Sequence, residues 1–195
     1  MPFPYDTHTA LVVVDVQNDF ADPEGSLYVA DAGAVVDVAN REVEAAHAAG
    51  ALVVTTQDWH PPSTPHFAKD GGTWPVHCVA DTWGAALHPG LHPGTHQVFK
   101  GVGGEDGYSG FTMVHPETGD RSPTGLDDLL RAHGITTVVI VGLATDYCVK
   151  ETALDAVRLG YDTTVLLAGV RPVELEPGDG QRAVDQMAGA GVALG

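Results

Sequence analysis

Val138-Val-Ile-Val-Gly142-Leu-Ala144-Thr-Asp-Tyr-Cys148-Val-Lys-Glu-Thr152 is the stretch on which both the fold and the chemistry turn. A β-branched run ends at Gly142-Leu143-Ala144, and a cysteine follows four residues after Ala144, where a helical pattern begins. From there Val149, Ala153, Ala156 and Val157 share one helical face, while Lys150, Glu151, Asp155 and Arg158 fall elsewhere, and Gly160 closes the helix. A parallel strand that turns sharply into a helix brings the turn's N–H groups and the positive end of the helix dipole to one edge of a sheet. A thiol there is favoured as thiolate, and neighbouring N–H groups can hold an oxyanion. Cys148 therefore reads either as a nucleophile or as a small buried core cysteine, and the rest of the chain has to decide.

Outward from this stretch the pattern repeats. Thr9-Ala-Leu-Val-Val-Val-Asp15-Val is a continuous apolar run, as expected of a central parallel strand covered on both faces. The other predicted strands are Ala51 to Gln57, His96 to Lys100, Ile135 to Val141, Tyr161 to Leu167 and Val192 to Leu194. Helical stripes occupy 34–49, 125–133 and 179–190, each placed between two of these runs. Alternation of strand and helix predicts an α/β protein, a three-layer αβα sandwich with a six-stranded parallel sheet. The 195 residues read as one domain, with a loop insertion at about 58–93. Gln17 to Gly25 reads as an irregular loop, and 101–110 as a glycine-rich loop followed by Phe111.

Asp15, Lys100 and Cys148 stand at or just beyond the ends of three different apolar strands. The carboxyl ends of parallel strands share one edge of the sheet, which is where open α/β sheets place their sites. A thiol needs a base to take its proton and a cation to lower its pKa, and Asp15 and Lys100 supply these. Each alone has a bland reading, a loop cap for Asp15 and a solvated residue for Lys100. Three at strand ends together favour chemistry.

Nine Lys plus Arg against 26 Asp plus Glu give a net charge of −17, which argues against nucleic acid or an anionic membrane as partner. No apolar run is long enough to span a bilayer, and Met1-Pro-Phe-Pro-Tyr-Asp6 lacks the basic and apolar regions of a signal peptide, so a cytoplasmic location is expected. Two cysteines, Cys78 and Cys148, make no disulfide framework. The sequence leaves a homo-oligomer open.

Between Pro61 and Pro93 periodicity disappears, and a loop of that length in a compact domain is uncommon and usually functional. Its entry carries Asp58-x-His60, with His66 and then His77 further on. Asp58 and His60, two apart, point the same way in an extended chain, and carboxylate with imidazole suits a borderline divalent ion such as zinc, iron or manganese. Surface loop histidines are the competing reading, and the remaining seven histidines show no such clustering with a carboxylate. Phe20, Trp74, Tyr108, Phe111 and Tyr147 are loop aromatics that either line a flat pocket for a ring or pack their loops, the latter being a fair alternative for Phe111.

These residues fall into a series of motifs: Val14-Asp-Val-Gln-Asn-Asp-Phe20, Asp58-Trp-His60, Pro65-His-Phe67, Trp74-Pro-Val-His-Cys78, Phe99-Lys-Gly101, Tyr108-Ser-Gly-Phe111 and Gly142 to Val149. In that order, over nearly the whole chain, they resemble the isochorismatase-like cysteine hydrolases, and among them the nicotinamidases (pyrazinamidases). The resemblance implies Cys148 as nucleophile, Asp15 as general base and then acid, and Lys100 as the stabilising cation. It implies one divalent metal held by Asp58, His60, His66 and His77, and a ring pocket of Phe20, Trp74 and Tyr108, with Tyr147 at the rim where some relatives have histidine. It also implies a cis Leu143–Ala144 peptide that aims the Ala144 N–H, with that of Cys148, at the oxyanion. The implied substrate is a small molecule, nicotinamide, cleaved to nicotinate and ammonia through a thioester. A hydrolase of another amide or of a vinyl ether, and a non-catalytic relative, are the competing readings. The stretch 170–177 carries no role at this stage.

Overall fold

Every residue of β1 (Thr9–Val14) is buried, which explains why its apolar run does not alternate. It sits at the centre of a six-stranded sheet in the order β3-β2-β1-β6-β7-β8, built from β2 (Leu52–Asp58), β3 (His96–Lys100), β6 (Thr137–Leu143), β7 (Asp162–Arg171) and β8 (Ala193–Leu194). All five pairings are parallel, and Val12 faces Val54 on one side and Ile140 on the other. The computed structural model describes residues 1–195.

The period-two geometry of the strands divides the core in two. Ala10, Val12, Val14, Val138 and Ile140 point to one face, against α3 (Leu126–Ala132), α4 (Lys150–Arg158) and α5 (Asp179–Gly189) through Leu126, Leu130, Ala153, Ala156 and Met187. Leu11, Val13, Val139 and Val141 point to the other, against Val35, Val36, Ala39, Val43 and Ala46 of α2 (Ala32–Ala48). The αβα sandwich and its six parallel strands thus agree with the expectation from the sequence. No helix is long and apolar enough to cross a membrane.

Four local expectations need correction. The 17–25 loop contains a short helix, α1 (Asn18–Ala21). Residues 112–114 and 121–123 form an antiparallel hairpin, β4 and β5, too short for periodicity to reveal. β7 runs to Arg171, past the predicted end, because its register with β6 shifts between Ile140–Val165 and Gly142–Val170. The helical turn before α4 also begins earlier than the apolar pattern suggests. Residues 145–149 form a wide turn in which the Tyr147 and Val149 N–H groups both donate to the Ala144 carbonyl, at 3.2 and 3.1 Å.

That turn begins where β6 crowds β1. Gly142 has φ +124°, and a Cβ there would lie 2.0 Å from the Val14 carbonyl oxygen, so both its backbone conformation and its neighbour demand glycine. Gly142→Ala is expected to lower stability by about 2–4 kcal/mol, combining backbone strain with forced displacement in a packed centre. A urea titration would show the midpoint fall, and a midpoint unchanged from wild type would contradict this account.

Candidate active site

The strand order decides what meets at the carboxyl edge. β3 ends in Lys100, β2 in Asp58, β1 is followed by Asp15, and β6 leads into the Cys148 turn, so the four groups stand side by side in the order of their strands. Strands lie roughly 4.8 Å apart, so Lys100 starts two spacings from Asp15 and needs its long side chain to reach it. The ammonium is fully buried, 2.7 Å from Asp15 Oδ2, 2.5 Å from Asp58 Oδ1 and 3.6 Å from Cys148 Sγ, and it also donates to the Gly107 carbonyl. Ligand atoms of Asp15, Asp58 and Cys148 lie within 4.8 Å of one another. The structure thus brings together all three residues singled out at strand ends.

Protonation states follow from burial set against this pairing. Burial pushes the Asp15 carboxyl up to about 6, with Lys100 opposing and Asp58 adding to the rise. Burial also works against the Lys100 charge, but Asp15 and Asp58 outweigh it and hold the ammonium well above the ordinary lysine range. In Asp58 the balance tips the other way: burial raises the carboxyl, but Lys100 together with His60 and His77 outweighs it and the carboxyl sits below the usual range. Cys148 departs from the expectation of a favoured thiolate. Burial drives its thiol well above the ordinary value, and Lys100 only partly offsets this. The resting cysteine is a thiol, and Asp15 is a carboxylate at neutral pH.

Two residues that the sequence reading passed over hold the carboxylates in place. Thr56 Oγ1 donates to Asp15 Oδ1 at 2.7 Å. The Gln17 side chain takes the Asp58 peptide from both sides, accepting from its N–H and donating to its carbonyl, each at 2.8 Å. Both are buried, Thr56 near the end of β2 and Gln17 just after β1, but polar residues at strand ends have too many ordinary uses for type and spacing to reveal these partners.

The long loop after β2 is pinned by single backbone bridges rather than by regular structure: His60 pairs with Val79, Phe67 with Trp74, and Gln17 with Leu87. The bridges fold the loop back so that ring nitrogens of His60, His66 and His77 lie within 4.8 Å of one another. Asp58 Oδ2 is 3.8 Å from His60 Nε2 and 4.0 Å from His77 Nε2, so this carboxylate faces Lys100 with one oxygen and the histidines with the other. His77 Nδ1 lies 2.7 Å from the Pro75 carbonyl, a bond that requires the proton on Nδ1 and leaves Nε2 a lone pair. Burial lowers His66 to about 3 and lowers His77 as well, so both rings are neutral, the form that ligates metal. Both ring nitrogens of fully buried His60 lack any hydrogen-bond partner, although buried polar groups are normally paired. A Cβ at Gly101, where φ is +70°, would come within 2.5 Å of the His60 ring, so the backbone closes against it. One carboxylate and three imidazoles, one of them unpartnered, fit a borderline divalent cation.

A small cavity joins the two groups of residues. Cys148, Ala144 and Leu143 line it together with Asp58, His66 and His77, and Phe20, Trp74, Tyr108 and Tyr147 supply aromatic walls. Trp74 Nε1 donates to the Tyr108 hydroxyl at 2.8 Å, and the Tyr147 ring meets Trp74 edge-on with centroids 4.8 Å apart. Phe111 takes the bland reading: it is buried in the core and stacks on Tyr161. The Leu143–Ala144 peptide is cis, and no side chain caps the turn that follows it.

Replacing Lys100 by Met would leave two buried carboxylates without their cation, at an expected cost of about 3–5 kcal/mol at neutral pH. Without Lys100 the folded-state pKa values of Asp15 and Asp58 rise. A carboxylate whose folded pKa is raised contributes stability at low pH that is lost as pH climbs. The deficit of Lys100→Met relative to wild type should therefore shrink from pH 8 to pH 5 in urea titrations, and a deficit that grew towards acid would refute this electrostatic account.

The chain is similar to known proteins along nearly its whole length. Residues 9–193 match the model of the isochorismatase domain. The chain is 40% identical to a nicotinamidase of Escherichia coli, over 95% of this chain and 93% of that protein. Its fold is similar to the crystal structure of a Pyrococcus horikoshii pyrazinamidase in complex with zinc, with TM-score 0.85, 35% identity, and coverage of 96% of this chain and 98% of the other. It is also similar to an L. infantum protein in complex with nicotinate, with TM-score 0.87 and 33% identity over 100% and 96% of the two chains. By sequence and by fold, the chain belongs to the isochorismatase family.

Proposed function

We infer that this chain is a nicotinamidase, a metal-dependent cysteine amidohydrolase that converts nicotinamide to nicotinate and ammonia. One observation carries the reading: a single aromatic-walled cavity has the Cys148 thiol and the Asp58–histidine cluster on the same lining. A flat ring bearing both a carboxamide and a ring nitrogen engages both, and a simple aliphatic amide does not. The E. coli and P. horikoshii relatives support this, as does the nicotinate complex of the L. infantum protein. Pyrazinamide shares the two features and is a second expected substrate.

In this reading Asp58, His60, His66 and His77 hold one divalent ion, with zinc, iron and manganese all suited to the donors. When bound, the ion offers the ring nitrogen a coordination site and so orients the ring. Asp15 takes the Cys148 proton as sulfur attacks the carbonyl carbon, because burial leaves no standing thiolate and a base must act in the attack itself. The carbon–sulfur bond forms while the carbonyl pair moves onto oxygen. The Ala144 and Cys148 N–H groups receive that oxyanion, at about 3–4 kcal/mol per donor in comparable acyl transfers. As the carbon–nitrogen bond breaks, Asp15 returns the proton to the leaving amine and ammonia departs. Asp15 then takes a proton from water, which attacks the thioester and releases nicotinate and the thiol. Lys100 keeps Asp15 ionised between turnovers, and Thr56 fixes the other carboxylate oxygen.

Cys148→Ala is expected to reduce ammonia release from nicotinamide by about ten-thousand-fold or more, and substantial residual turnover would exclude the thioester route. In wild type, kcat/KM should fall as pH drops through about 6, since protonated Asp15 no longer accepts the thiol proton. A profile flat from pH 7 to pH 5 would remove Asp15 as the base. Stripping the protein with a strong chelator should suppress turnover, and restoring zinc, iron or manganese singly should recover it, identifying the ion. Full activity after complete metal removal would exclude the metal's part while leaving the thiol chemistry standing.

A further inference from the structure

The segment after β7 has no part in the chemistry above, yet it is tied to the turn that carries the nucleophile. Arg171, the last residue of β7, pairs in register with Leu143, immediately before the Ala144 turn. Two residues on, the Val173 N–H donates to Asp146 Oδ1 and the Glu174 N–H to Asp146 Oδ2, both at 2.9 Å. Asp146 is itself buried, in the same turn as Cys148. A carboxylate gripping two successive amides is a charge-assisted pair, stronger and more directional than neutral bonds. Glu174 completes the bend: its φ is +60°, and its own carboxylate accepts from the Gly178 and Gly180 N–H groups. The outcome of this double clip is that the Val173 side chain lines the cavity beside Leu143, Ala144 and Cys148.

We propose that Val173 is a specificity-determining wall of the substrate pocket, and that Asp146 is a positioning residue that holds this wall at a fixed distance from Cys148. This rests on the nicotinamidase reading and deepens it. The wall decides which substituted N-heteroaromatic carboxamides the site admits, because apolar surface in van der Waals contact has no room for an added methyl, and an apolar pocket discriminates one such group by about tenfold or more.

The test compares kcat/KM for nicotinamide with kcat/KM for its 5-methyl and 6-methyl derivatives. Val173→Ala should raise the ratio of at least one methyl derivative to nicotinamide about tenfold, and Val173→Leu should lower it. Asp146→Ala should relax the same ratio with Val173 intact, by letting the wall move, and should raise KM for nicotinamide more than it lowers kcat. A wild type active on nicotinamide, with ratios unchanged in both Val173 variants, would overturn the proposed wall. Altered ratios in the Val173 variants with a wild-type ratio in a folded Asp146→Ala would overturn the positioning role. Absence of ammonia release by wild type would overturn the nicotinamidase reading itself and the wall with it, a result distinct from either.

Discussion

The ammonium of Lys100 lies fully buried between Asp15 and Asp58, and this three-charge contact is what the remainder of the site is arranged around. A buried cation costs several kcal/mol to desolvate, and only close, well-directed anions offset that cost. Two carboxylates so near each other would in turn repel without the cation. Each member is therefore tolerable only because of the other two. Asp15 faces the thiol side and Asp58 the histidines, so the contact couples the two halves of the site.

This coupling is a product of sheet topology. With the order β3-β2-β1-β6, the residues ending four adjacent strands fall in a row, and a side chain as long as lysine, starting at the edge of that row, spans it. A crossover that exchanged β1 and β2 would put Asp58 between Asp15 and the nucleophile turn. The thiol would then face the carboxylate that the histidines surround, and Asp15 would sit one strand too far away. Chemistry and strand order are in this sense one constraint.

Much of this was legible in the chain because buried parallel strands write themselves as unbroken apolar runs, and a polar residue closing such a run stands out. Asp15, Lys100 and Cys148 were found that way. The histidines could be grouped with Asp58 by type and order, but nothing periodic says that His60 meets Val79 or that Phe67 meets Trp74; such single bridges leave no mark in composition. Thr56 and Gln17 were invisible for a different reason, since their roles lie in partners forty-one residues away. Helix-end electrostatics can be read from sequence and favour the thiolate, whereas the burial that raises the Cys148 thiol depends on the packed fold. The 170–177 stretch stayed mute until the Asp146 carboxylate showed what it was fastened to.

Gln17 closes both hydrogen-bonding edges of the Asp58 peptide from the residue stretch that follows the central strand. The four donors on the metal side therefore do not share one support. Asp58 is mounted on a strand of the sheet, while His60, His66 and His77 belong to a loop held by scattered bridges. The same Gln17 amide also donates to the Ala85 carbonyl, so one side chain ties the end of that loop to the carboxylate's mount. The site is thus like a socket whose back plate belongs to the frame and whose jaws are bolted to it through a single side chain.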